Sequence, residues 1–185
     1  QIHSNKFVYI NEKSKFKLKP KADAVITNQK NMPIGVLTAD CVPILICDQK
    51  KNLIAAIHAG WKSAYKDIIG KVIKFMIKQG SNPANIIAAI GPAISFKNYE
   101  VKEDFKIKFI KKDKKLKKFF KTKYKKLYFD LPKYVKSCLL KNNIKNIESI
   151  NIDTFNINNN FYSARRALRL GHDDYGRNIS IIMLN

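Results

Sequence analysis

The stretch Leu53-Ile54-Ala55-Ala56-Ile57-His58-Ala59-Gly60-Trp61 constrains the fold more than any other segment. Its apolar residues run on without polar alternation, so Leu53–His58 reads as a buried strand. A helical stripe follows, with Ile68, Ile69, Val72, Ile73 and Met76 spaced for one face and Gly80 as the stop. A buried strand feeding an amphipathic helix requires a sheet with helices packed against it. Phe7–Ile10, Ala24–Thr27, Ile34–Thr38, Pro43–Cys47 and Asn85–Ile90 read as further strands, the last broken by Gly91-Pro92. Later strands are expected at Ile147–Ile152, Phe161–Arg166 and Asn178–Leu184. Asp130-Leu131-Pro132 predicts a capped helix through Leu140. The elements mix without strict βαβ alternation, which gives an α/β or α+β class. With 185 residues, one domain over 1–185 is expected.

No apolar run reaches the ~18–20 residues needed to span a bilayer. Cys41, Cys47 and Cys138 are odd in number and irregularly spaced, which argues for a reducing compartment, with the cytoplasm as default. The chain opens at Gln1, close to candidate chemistry, so an N-terminal segment is expected to precede it.

The net charge of +22 is concentrated. Thirteen lysines lie in Lys102–Lys126 against Glu103, Asp104 and Asp113 alone. Phe105, Phe109, Leu116, Phe119 and Phe120 fall at near-helical spacing, which predicts a helix on the core with its lysines outward. The rival reading is a polyanion or nucleic-acid patch. Arginine behaves differently: Arg165, Arg166, Arg169 and Arg177 are the only four, all in one stretch. In so lysine-biased a chain, retained arginines suggest sites that need a planar fork for phosphate or carboxylate.

Only His3, His58 and His172 can offer imidazole. His58 ends an apolar strand, and Cys41 follows Asp40 at another strand boundary, where sites concentrate in α/β proteins. One thiolate with two imidazoles is a zinc donor set that leaves a fourth position open, the catalytic pattern. Core packing of either residue is the alternative, as is a metal-free cysteine hydrolase or deamidase with Cys41 as nucleophile and His58 as base.

Several blocks carry a resemblance. They are Gln1-Ile2-His3 with Val8, Ala22-Asp23-Ala24, Thr38-Ala39-Asp40-Cys41-Val42-Pro43 and His58-Ala59-Gly60-Trp61. Further along come Gly91-Pro92-Ala93-Ile94, Tyr99-Glu100-Val101, Phe161-Tyr162-Ser163-Ala164-Arg165-Arg166 and Tyr175-Gly176-Arg177. In this order they resemble the YfiH/YlmD family, long called multicopper polyphenol oxidoreductase or laccase-domain proteins and now described as purine nucleoside phosphorylases. The resemblance implies a four-layer α/β/β/α sandwich, with His3, Cys41 and His58 as zinc ligands. It further implies phosphorolysis of adenosine, inosine and methylthioadenosine, with adenosine deamination. The chain departs from the pattern at Ser4, where Gly is usual, and at Lys62-Ser63, where Arg-Gly is usual. The family's Arg- and Gly-rich N-terminal segment is not part of it.

Phosphorolysis needs an anion site and help for the leaving purine. Lys62, Arg165 and Arg166 are the candidates for phosphate, and Asp40 for ligand orientation or acid–base work. Purine nucleosides and phosphate are thus the expected partners, with no membrane. A laccase is excluded by arithmetic, since three histidines are too few for its copper centres; copper is at most an adventitious occupant. His172 is expected in a polar loop, Cys47 and Cys138 in the core, and Trp61 in packing.

Overall fold

The computed structural model describes residues 1–14 and 18–185. The chain begins with β1 (Phe7–Ile10), β2 (Ala24–Thr27), β3 (Ile34–Thr38), β4 (Val42–Asp48) and β5 (Leu53–Ala59). Helices α1 (Trp61–Tyr65) and α2 (Ile68–Lys78) follow, then β6 (Ile87–Ile90) and β7 (Glu100–Val101). Next come α3 (Glu103–Lys112), β8 (Phe120–Lys123), β9 (Lys126–Phe129) and α4 (Leu131–Lys141). The chain closes with β10 (Asn146–Ser149), α5 (Ala164–Arg169) and β11 (Asn178–Ile182).

A six-stranded mixed sheet in the order β1-β2-β5-β4-β6-β10 forms the middle of the molecule. All seven residues of β5 are buried because both faces of this sheet are covered. Leu53, Ala55, Ile57 and Ala59 face the helical side, packing with Ile69, Val72, Ile73 and Met76 of α2 and with Val135 and Leu139 of α4. Ile54 and Ala56 point the other way, onto Ile34 and Val36 of β3. The period-two alternation therefore turns His58 towards the same side as Ile54 and Ala56, between the sheets.

The second sheet is the antiparallel pair β3 and β11, with Asn178 opposite Thr38. Helices, large sheet and small sheet are three successive layers of the expected sandwich. Beyond them, among the described residues, the outer face of the small sheet is open: Leu37, Ile179 and Ile181 are exposed.

Three local expectations need correction. The segment Lys102–Lys126 is helical only through Lys112; Asp113 then caps a 3-10 turn by accepting from the backbone of Lys115, and β8 and β9 form a hairpin. Tyr124 and Lys125 at its tip adopt left-handed backbone (φ 49° and 60°), the geometry of a tight two-residue turn. Phe161–Arg166 is not a strand. Ser163 there accepts from the backbone of Arg166 and caps α5. The last parallel strand occupies Asn146–Ser149, starting and ending before Ile147–Ile152.

The lysines of α3 do point outward, because its aromatic face is consumed. Phe109 is fully buried and meets Trp61, Tyr65, Phe105, Phe120, Phe129 and Tyr134 at ring separations of 4.8–6.4 Å. Phe109→Ala should destabilise the fold by about 3–5 kcal/mol, the cost of a large aromatic cavity, measured by denaturant unfolding. No helix among the described residues is long and apolar enough to cross a membrane.

Candidate metal centre

Strand pairing brings the site together. In β4–β5, Pro43 lies opposite His58 and Val42 opposite Ala59, so Cys41 sits beside the end of β5. In β2–β5, Ala24 lies opposite Ile57, which sets Asp23 next to His58; the backbone N–H of His58 donates to the Asp23 carbonyl at 2.8 Å. β1 runs parallel to β2 with Phe7 opposite Ala24, so the segment before β1 returns past Asp23. Three strand ends thus deliver His3, Cys41 and His58 to one place.

Their donor atoms all lie within 4.8 Å of one another. Cys41 Sγ is 3.8 Å from His3 Nε2, and the two imidazole rings meet edge to face at 4.8 Å. Zinc bond lengths of ~2.0–2.3 Å give tetrahedral edges of roughly 3.3–3.6 Å, so the set fits one ion after a small contraction. Gly60 makes the approach possible, since a Cβ there would stand 2.9 Å from both Cys41 Sγ and His3 Cδ2. Gly60→Ala should lower metal affinity roughly tenfold while leaving the metal-free fold nearly as stable, checked by competition with a chromophoric chelator.

Asp23 organises the candidate donors. The left-handed backbone at His3 (φ 54°) curls the chain so that the N–H groups of Ile2, His3 and Ser4 all donate to its carboxylate, at 3.1, 2.9 and 2.6 Å. Ser4 adds its hydroxyl at 2.7 Å, so the departure at this position supplies a further donor. His58 Nδ1 donates at 2.9 Å, which fixes the tautomer and frees Nε2 for a metal. Burial pushes Asp23 upward, but the hydrogen bonds from His58, Ser4 and His3 prevail and hold it at about 2. Burial lowers His58 despite that partner, so the contact is a neutral imidazole on a carboxylate rather than an ion pair.

Cys41 is pushed up to about 12, first by burial and then by Asp40 and Asp23. A free thiol there stays protonated at neutral pH, the opposite of what an unassisted nucleophile requires. A divalent cation reverses this, because thiolate ligation displaces the proton. The donor set therefore fits a metal better than a cysteine–histidine nucleophile.

The triad opens into a cavity of about 330 Å³ shared with Gln1, Tyr175 and Arg177. The residues expected to bind phosphate lie elsewhere. Lys62 is exposed on α1, 5.7 Å from the centre of the Trp61 ring. Arg165 donates to the Glu100 carbonyl at 2.9 Å and lies over Tyr99. Arg166 is spent on the carbonyls of Thr154, Phe155 and Phe161, at 2.8, 3.0 and 2.6 Å. The carboxylate of Asp40 accepts from Thr154 Oγ1 at 2.7 Å and from the backbone of Arg165 at 2.6 Å, tying the β3–β4 loop to α5. Trp61 packs on Phe105, and His172 is exposed. Cys47 and Cys138 are half-buried against the two apolar clusters. Two residues of the matched blocks to which the sequence assigns no individual role stand at the site: Asp23 of Ala22-Asp23-Ala24, hydrogen-bonded to His58, and Arg177 of Tyr175-Gly176-Arg177, which lines the cavity.

Fold and site together define a mixed α/β protein with a three-donor His/Cys/His centre at the mouth of an open cavity. The family model described as multi-copper polyphenol oxidoreductase laccase matches residues 1–185, and the chain belongs to that family, the YfiH/YlmD group. It is 36% identical over 172 residues to a purine nucleoside phosphorylase of Rickettsia prowazekii, covering 92% of this chain and 70% of that one. A purine nucleoside phosphorylase of Rickettsia conorii is 36% identical over 181 residues, with 97% and 73% covered. The crystal structure of the hypothetical protein YfiH of Bacillus licheniformis superimposes with a TM-score of 0.87 at 30% identity, over all of this chain and 72% of that one.

Proposed function

We propose that residues 1–185 form one catalytic domain of a zinc-dependent purine nucleoside phosphorylase acting on adenosine, inosine and methylthioadenosine, with adenosine deamination as a second activity. The convergence of His3, Cys41 and His58 on an open cavity carries this reading, in a chain whose relatives bear that enzyme's name. When bound, zinc supplies Lewis-acid chemistry at the cavity mouth. The chain's own groups do the rest. Asp23 holds His58 in the ligating tautomer and clamps the His3 segment. Gly60 leaves room for the donors, and Asp40 fixes the loop that carries Cys41.

Against a laccase, the described residues contain one cluster of three or more possible donors, and the sequence has only three histidines. Copper binds nitrogen-containing sites more tightly than zinc and is an adventitious occupant to control for. A metal-free hydrolase is disfavoured by the upward push on Cys41. The test is incubation of zinc-loaded protein with inosine and with adenosine, with and without phosphate. Phosphate-dependent release of free base is expected, and absence of any nucleoside turnover by folded, zinc-loaded protein contradicts the proposal.

A further inference from the structure

We infer that Arg177 is the residue that holds the phosphate co-substrate in the His3–Cys41–His58 cavity, an assignment that rests on the phosphorolysis reading above. Of the four arginines, three are already engaged. Arg165 and Arg166 bind backbone carbonyls, and Arg169 stands 3.8 Å from the Glu100 carboxylate. The guanidinium of Arg177 has no hydrogen-bond or ion-pair partner among the described residues and merely flanks the Tyr175 ring at 5.7 Å. It also lines the triad cavity, which Arg165 and Arg166 do not.

The fold sets it there. Asn178, the first residue of β11, lies opposite Thr38, the last of β3. Residues just before β11 therefore reach the same end of the small sheet as the loop bearing Cys41. Asn178 fastens this junction: its amide donates to the carbonyls of Thr38 at 3.2 Å and Tyr162 at 2.9 Å, and its oxygen accepts from the Tyr162 backbone at 2.9 Å. Gly176 presses against the Tyr162 ring so closely that a Cβ would lie 2.4 Å from it. The backbone on both sides of Arg177 is thus held while its side chain stays free.

Charge favours an anion. No carboxylate is among the lining residues, because Asp23 turns its oxygens to His58 and the Ile2–Ser4 segment and Asp40 turns its own to Thr154 and Arg165. A divalent ion offsets the Cys41 thiolate and the Asp23 carboxylate behind it, and Arg177 then leaves the cavity positive. The planar fork binds two phosphate oxygens at once, which a lysine ammonium does not reproduce. In a chain with 36 lysines and arginines of which only four are arginine, that difference accounts for the choice. In the reaction, a phosphate oxygen forms its bond to C1′ while the bond from C1′ to the purine nitrogen breaks. The electron pair leaves with the purine, which takes a proton from solvent, giving pentose 1-phosphate and free base.

The test compares zinc-loaded wild type with R177Q and R177K, using calorimetric titration with inorganic phosphate and steady-state kinetics with inosine. R177Q should weaken phosphate binding and raise the KM for phosphate about 10–100-fold, with zinc content, melting temperature and the KM for inosine nearly unchanged. R177K should recover part of the loss. Unchanged phosphate binding by folded, zinc-loaded R177Q overturns the assignment while leaving phosphorolysis standing. If the wild type itself neither binds phosphate nor needs it to release base, the phosphorolysis reading fails and the assignment with it.

Discussion

Asp23→Ala is expected to lose about 2–3 kcal/mol of stability and to bind metal about 10–100-fold more weakly. The buried Nδ1–H of His58 is left without a partner, which costs about 1–3 kcal/mol by itself. The N–H groups of Ile2 and His3 contribute less, because that segment is exposed and regains water. Metal affinity falls because His58 loses its fixed tautomer and His3 its clamp. Asp23→Asn separates the two effects: the amide keeps an acceptor oxygen and much of the stability, yet no longer holds the carboxylate–imidazole–metal alignment. The acid limb adds a further check. Since folding depresses Asp23 to about 2, its contribution is complete above the ordinary aspartate value of about 3.9 and is lost as pH falls towards 2. Unfolding of metal-free wild type between pH 5 and pH 2 should show this loss, and the Asp23→Asn curve should be flatter.

Cys41→Ser has the second large effect. A hydroxyl does not ionise as a thiol does, so the variant should retain no metal after mild chelation, and turnover should fall by on the order of 10³-fold or more. A metal-free cysteine hydrolase also dies on this substitution, so the loss of metal is the discriminating reading. Iodoacetamide gives the complement: it should label Cys41 slowly in zinc-loaded protein and faster only at high pH after chelation, because the freed thiol is pushed up to about 12.

Much of the frame was legible because burial on both faces leaves a mark in sequence. β5 shows no polar alternation because α2 covers one side and β3 the other, and α2 shows its stripe because its outer face is wet. What was misread has local causes. The hairpin tip Tyr124-Lys125 takes left-handed backbone without the Gly or Asn that announces such a turn. The six-residue helix α5 is too short to display a period, and its one sign was the Ser163 cap. In the site, residue types and strand ends offered His3, Cys41 and His58 as one donor set among alternatives, the resemblance of the neighbouring blocks favoured it, and the fold brings the three donors together. The work of Asp23 could not be read so easily, since five donors converge on it from residues 2, 3, 4 and 58 only through β1–β2–β5 pairing. The sequence marks the arginine cluster only as a unit. Which member stays free is decided by the carbonyls at residues 100, 154, 155 and 161 and by the Glu100 carboxylate, and those contacts leave no trace in the sequence.

The most direct test of the metal centre follows metal content and phosphate-dependent base release together, on one sample of wild-type protein, through stepwise chelation and zinc restoration. A metal-dependent centre predicts about one metal per chain, activity that declines in proportion to metal removed, and recovery when zinc is returned. Activity that persists undiminished after the last of the metal is gone would contradict it.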